Sequence, residues 1–245
     1  MVFFAVVFPT LLLAPDAGNP AAPFQSVVLQ ILLVGLVPLA SARLWNLSNR
    51  IVFSLRPTTA KSLLWCLVLA FSVLFLLDEI VLWQERITGV RAGLSPEIQE
   101  LLRADSALQL GWIFFALALT PAVCEELLFR GFIFERFLKS GQAGQSMMMT
   151  SLLFGLFHRN LPALLPTTLA GIMLAFAVWR TGSLYSAIAM HAVINTWAIL
   201  LVNTRLGEFL PWTRQPSHVP VGLLVVCIVG VVVAGRQLQG KQVAA

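Results

Sequence analysis

The chain has 245 residues, 58% of them hydrophobic and only 11% charged, with a mean hydropathy of +0.87 and a net charge of +5. That is far more apolar than a soluble domain, and no basic groove interleaved with aromatic residues is present, so nucleic acid is excluded as a partner and a lipid bilayer is expected instead. The positive charge bears on membrane topology.

The first fourteen residues, MVFFAVVFPTLLLA, are apolar but lack a basic start, and PDAGNPAAP stands where a cleavage site would fall. An interfacial or partial helix is expected there rather than a cleaved signal peptide. Runs able to cross a hydrocarbon core, which takes about 20 helical residues, follow near 25–42, 61–83, 107–124, 161–180, 183–203 and 219–235. Two further apolar runs, 127–138 and 146–158, are too short to cross alone and must extend a neighbour or pair as a hairpin. None of these runs alternates as barrel strands do, so the expected fold class is all-α, a polytopic transmembrane helical bundle of about 7–8 helices. Residues 1–60 hold the N-terminal apolar segment, the first transmembrane helix and a basic loop. Residues 61–245 form the remaining membrane domain.

Arg43, Arg50, Arg56 and Lys61 fall in one connection, and alternation of spans puts Arg136, Lys139, Arg180, Arg236 and Lys241 on the same side. The excess of basic residues marks that side as cytoplasmic, with the C-terminus there, in a bacterial-type plasma membrane. Cys66, Cys124 and Cys227 sit in apolar runs without metal-type spacing and are expected to be buried small side chains. Trp45, Trp83, Trp179 and Trp212 fall near expected helix ends, where aromatic belts form.

An ionisable side chain inside a membrane helix costs roughly 2.5–3.5 kcal/mol on insertion scales, so each one needs a reason. In CEELLFRG (124–131), Glu126 and Arg130 stand at i and i+4, the order that favours an ion pair, while Glu125 projects about 100° away. Glu126 is then structural and Glu125 is left for chemistry. In FGLFH, Phe154 and His158 share a helix face; in HAVIN, His191 and Asn195 do the same. The linker GQAGQ centres near Gln142, 17 residues after Glu125 and 16 before His158, so a hairpin folded there brings both to one depth. His191 lies about two and a half turns beyond its own turn, so that hairpin must protrude further for His191 to join them.

A carboxylate, two imidazoles and an amide can activate a water and stabilise an oxyanion. Glu125, His158 and His191 can equally be ligands of a catalytic zinc with an open water position, and the residues alone do not separate the two chemistries. A proton or ion pathway in a transporter is a rival reading, weakened by the lack of inverted-repeat symmetry. A non-catalytic scaffold that binds a partner peptide is another.

In order, E-E-x-x-x-R, F-x-x-x-H and H-x-x-x-N on successive helices resemble the intramembrane endopeptidases of the CAAX-protease and bacteriocin-processing (CPBP, or Abi) family, over roughly residues 107–203. The resemblance implies a peptidase in which Glu125 activates the hydrolytic water with help from His158. It further implies that His191 and Asn195 orient substrate or stabilise the oxyanion, with Glu126, Arg130 and Phe154 in support. The implied substrates are membrane-embedded or lipidated (CAAX-like) proteins or leader-bearing peptides. Members act as glutamate proteases or as metalloproteases, so zinc stays open here. The first hundred residues carry none of the motifs.

Overall fold

A computed structural model of the chain describes residues 22–46, 48, 52–90, 96–213 and 217–238. The apolar stretch 1–14, the linker up to residue 21, Arg50 and Lys241 lie outside those residues. Among the described residues every regular element is helical. The helices are α1 (22–44), α2 (Ala60–Thr88), α3 (Pro96–Leu102), α4 (Ala107–Ser140), α5 (Ala143–Phe157), α6 (Leu164–Thr181), α7 (Leu184–Asn203), α8 (Leu206–Phe209) and α9 (Val221–Gln237). Five of them, α1, α2, α4, α6 and α7, are long and apolar enough to cross a membrane; α5 and α9 are shorter apolar helices. The expected helical bundle is therefore present. Of the two short runs, 127–138 extends its neighbour into one 34-residue helix, and 146–158 forms α5.

Local chemistry sets the ends. Thr59 caps α2 by accepting from the Ser62 amide, and Ser106 caps α4 by accepting from the Gln109 amide. Gly89 and Gly182 close α2 and α6 with φ of 69° and 65°, a left-handed turn that costs glycine little. Three stretches widen to π-helix, at Gln30–Gly35 in α1 and at Phe114–Leu119 and Leu127–Phe134 in α4. The first of the α4 pair precedes Pro121, whose ring crowds the carbonyl one turn back and whose missing N–H leaves the ladder short. Widening the turn relieves both. The two π stretches of α4 flank Glu125 and Glu126, an association with functional sites that π-bulges often show.

Lipid supplies no hydrophobic drive for helix pairing, so close approach at small residues has to do it. A Cβ on Gly35 of α1 would sit 3.0 Å from Cys124 Sγ of α4. On Gly171 of α6 it would sit 3.0 Å from both the Ser151 Cβ of α5 and the Arg130 guanidinium of α4. Gly171→Ala is thus expected to cost about 1–3 kcal/mol by overpacking, read as a lowered melting temperature of the protein in nanodiscs; an unchanged melting temperature would show that this three-helix seam can yield.

Ser54, in the connection between α1 and α2, ties the basic end together. Its hydroxyl donates to Glu135 Oε1 (2.6 Å) and its carbonyl accepts from the Leu184 amide (3.0 Å). The turn before α7 is therefore level with Glu135, about one and a half turns short of the α4–α5 turn. The hairpin does protrude, by the amount that lets His191 meet Glu126. At the opposite end Asn203 clasps both Leu102 O and the Ala104 amide at 2.7 Å, and Glu79 of α2 holds His218 Nδ1 (2.7 Å) and the Val219 amide (2.9 Å). Cys66, Cys124 and Cys227 are buried free thiols, as expected. Trp212 departs from the aromatic-belt expectation: it is buried and its indole donates to Asp78 Oδ2.

Candidate active site

The site is built on α4 where α1, α5, α6 and α7 converge. Glu126 and Arg130 are fully buried, and Arg130 Nη1 donates to Glu126 Oε1 at 2.8 Å. A guanidinium in such a place needs every donor it can satisfy. Its Nη2 donates to the Gly171 carbonyl (3.0 Å), exposed to it because residue 171 has no side chain, and its cationic carbon lies 4.2 Å from the centre of the Phe154 ring. Phe154 of α5 thus supports Arg130 by a cation–π contact as well as by packing. Residues 130 and 154 stand twelve positions either side of Gln142, the matched depth that a hairpin turning at Gly141–Gln142 predicts.

His191 reaches the same oxygen. Its Nδ1 lies 2.8 Å from Glu126 Oε1, and its Nε2 lies 4.0 Å from Glu125 Oε2. A carboxylate acceptor on Nδ1 assigns the proton to that nitrogen and leaves Nε2 facing Glu125. Glu126 therefore does more than the local pairing suggested: it holds a cation on its own helix and an imidazole 65 residues away.

Glu125 is 4% exposed. The sequence left it unpaired, and this is corrected by the structure: Gln30 Nε2 of α1 donates to its Oε1 at 2.8 Å. Its Oε2 is buried and has no hydrogen-bond partner among the described residues. Gln30 lies in the stretch that carries none of the motifs, and the only sequence signal for it was an amide in the middle of an apolar run.

His158 ends α5. Its Nδ1 is 2.9 Å from the Phe154 carbonyl, which can only accept, so Nε2 is the free nitrogen. Its ring packs on Phe154 at 4.7 Å while His191 packs on the same ring at 5.7 Å. The two imidazoles thus share one aromatic neighbour, and His158 makes no hydrogen bond to Glu125. Asn195 stands one turn beyond His191, its amide only 3.5 Å from the Ala118 carbonyl in the π stretch of α4, a contact long enough to be given up easily. From the next residue onward, Thr196, Ile199 and Leu200 of α7 line, with Ala107, Leu110, Gly111 and Phe114 of α4, an apolar pocket of about 340 Å³.

Zinc needs three protein ligands near 2.0–2.2 Å from one point, a span of about 3–4 Å between donors. Among the described residues no group of three His, Cys, Asp or Glu side chains is so placed. Glu125, His158 and His191 as they stand are not gathered around one point as a zinc ligand set.

Residues 107–197, the segment that carries all three motifs, match the family described as type II CAAX prenyl endopeptidase Rce1-like. The "Putative membrane peptidase YdiL" of Bacillus subtilis (strain 168) is 25% identical over 100 residues. That alignment spans 41% of each protein, so the chain covers about two fifths of this curated relative. No solved structure matches. Motif order, helical membrane fold and sequence match agree: residues 107–197 of this chain are similar to the Rce1-like CAAX endopeptidases.

Proposed function

We propose that the protein is an intramembrane endopeptidase of the glutamate type, in which Glu125 is the general base. The observation that carries this reading is Glu125 Oε2: buried, without a hydrogen-bond partner among the described residues, and 4.0 Å from His191 Nε2. Glu125 and Glu126 together outweigh Arg130 by one negative charge. Oε2 of Glu125 and Nε2 of His191 face one another across 4.0 Å, a gap that a water molecule can bridge.

Peptide hydrolysis then runs as follows. Oε2 takes a proton from water as the water oxygen bonds to the scissile carbonyl carbon. His191, when protonated on both nitrogens, and the Asn195 amide donate to the resulting oxyanion, and a dry surrounding strengthens both bonds. The proton held by Glu125 passes to the leaving amine as the C–N bond breaks, which regenerates the carboxylate. His158, at the depth of Glu125 and with its Nε2 free, assists by accepting or returning a proton.

The apolar pocket just beyond Asn195 favours a substrate with an apolar segment or lipid tail next to the scissile bond. Membrane-anchored or lipidated proteins, CAAX-like C-termini among them, and leader-bearing peptides fit that description. The basic end of the bundle supports a cytoplasmic opening and a cytoplasmic C-terminus.

The test is cleavage of a labelled membrane-peptide library by the protein in nanodiscs, with and without chelator. Fragments that persist in chelator are expected. Fragments that vanish with chelator and return with zinc would replace the glutamate mechanism by a metal-dependent one, and wild-type protein inert toward every peptide class would count against the peptidase reading.

A further inference from the structure

We propose that Gln30 is the positioning residue of Glu125: it selects which carboxylate oxygen acts as the base. This inference rests on the peptidase reading above and extends it to a helix that carries none of the family motifs.

The terminal torsion of a glutamate side chain is broad and nearly two-fold, so an unrestrained carboxylate presents either oxygen to the site. Glu126 cannot restrain Glu125, because a carboxylate accepts and has no proton to donate, and its Oε1 accepts from Arg130 and His191. Gln30 can. Its Nε2 donates to Glu125 Oε1 at 2.8 Å, and a carboxylate can only accept, so the amide orientation is fixed by the pair itself. With Oε1 taken, Oε2 is the oxygen left to face His191 Nε2.

The amide is itself held. Val34, one turn on from Gln30, is buried to 1% in a cluster with Cys124, Leu128, Phe129 and Phe154, the last of which also touches His191 and Arg130. Gly35 lets α1 approach to the point where any Cβ would press on Cys124 Sγ, the residue before Glu125. The π-helical turn starts at Gln30 itself and runs to Gly35, so the widened turn spans the whole contact. A polar amide is costly at mid-membrane unless it is partnered. The oxygen of that same amide and Glu125 Oε2 are both buried and have no hydrogen-bond partner among the described residues. Both acceptors are open to a hydrogen bond from the attacking water, which has two protons to donate.

The experiment uses the full chain in nanodiscs with a peptide the wild type cleaves, and compares Gln30→Met, close in volume but without a donor, with Gln30→Asn. Gln30→Met is expected to lower kcat on the order of tenfold to a hundredfold, as misplacement of a reacting group does, with KM and melting temperature little changed. Gln30→Asn, which keeps the amide, should recover part of the loss. An infrared difference spectrum, wild type minus Glu125→Gln, isolates the Glu125 carboxylate stretch, and Gln30→Met should shift it. An unshifted band overturns the proposal even where no peptide is cleaved, as does a Gln30→Met enzyme with wild-type kcat. Loss of kcat, KM and stability together, equally in Met and Asn, would reduce Gln30 to a packing residue. A shifted band beside a Glu125→Gln variant that still cleaves would keep the contact but sink the reading of Glu125 as base, and with it the role of Gln30 in catalysis.

Discussion

Glu125→Gln is expected to lower turnover about 10²- to 10⁴-fold, the usual contribution of a general base, while leaving the melting temperature in nanodiscs unchanged or slightly raised. The amide has the shape of the carboxylate, and its oxygen still accepts from Gln30, so α1 stays docked. What it lacks is the ability to take a proton at the position 4.0 Å from His191 Nε2. Removing a buried negative charge from a membrane helix relieves a cost rather than adding one. Parallel cleavage and thermal-unfolding measurements check both halves. A variant that retains more than a third of wild-type turnover would remove Glu125 from the chemistry, and one that fails to fold would give it the structural role assigned to its neighbour.

How far the sequence foretold this site depends on whether a contact is local or set by register. Glu126 with Arg130 is a one-turn contact within a single helix, and spacing alone yields it. Arg130 against Phe154 follows from one further fact, the turn at Gly141–Gln142, because antiparallel helices leaving one turn match depth residue for residue. His191 against Glu126 needs the offset between two turns, and that offset is set by Ser54, a loop residue whose hydroxyl and carbonyl bind Glu135 and the Leu184 amide. Nothing in a loop's composition foretells such a clamp. Gln30 is harder still: it reaches Glu125 across 95 residues and two intervening helices, α2 and α3, and its only mark is a polar side chain in an apolar run. His158 shows the opposite limit. Equal depth to Glu125 was legible, but the end of α5 at Phe157 was not, and there His158 sets its Nδ1 on the Phe154 carbonyl while Phe154 packs on Arg130. For the same reason the zinc triad, plausible as a list of residue types, is not assembled as a geometry.

Glu126→Gln is expected to act on stability first, by about 3–5 kcal/mol, the cost of stranding one partner of a buried ion pair. Arg130 is fully buried, and its remaining contacts, the Gly171 carbonyl and the Phe154 ring, are dipole and quadrupole and cannot neutralise it. Glu125, about 100° round the helix and facing the same imidazole, is the remaining carboxylate whose charge reaches Arg130, so the guanidinium is drawn away from Phe154. His191 suffers too. A glutamine oxygen can accept from Nδ1 or from Arg130 with far less strength than a carboxylate serving both, so the imidazole loses the anchor that points Nε2 at Glu125. The expected result is a much lower melting temperature and folding yield, together with lost turnover in whatever protein folds. Glu126→Asp separates the two effects: it restores the charge but not the reach, so stability should recover more than turnover. If instead Glu126→Gln matched Glu125→Gln, stable and inactive, then Arg130 would be neutral or compensated elsewhere, and the division of labour between the adjacent glutamates would be wrong.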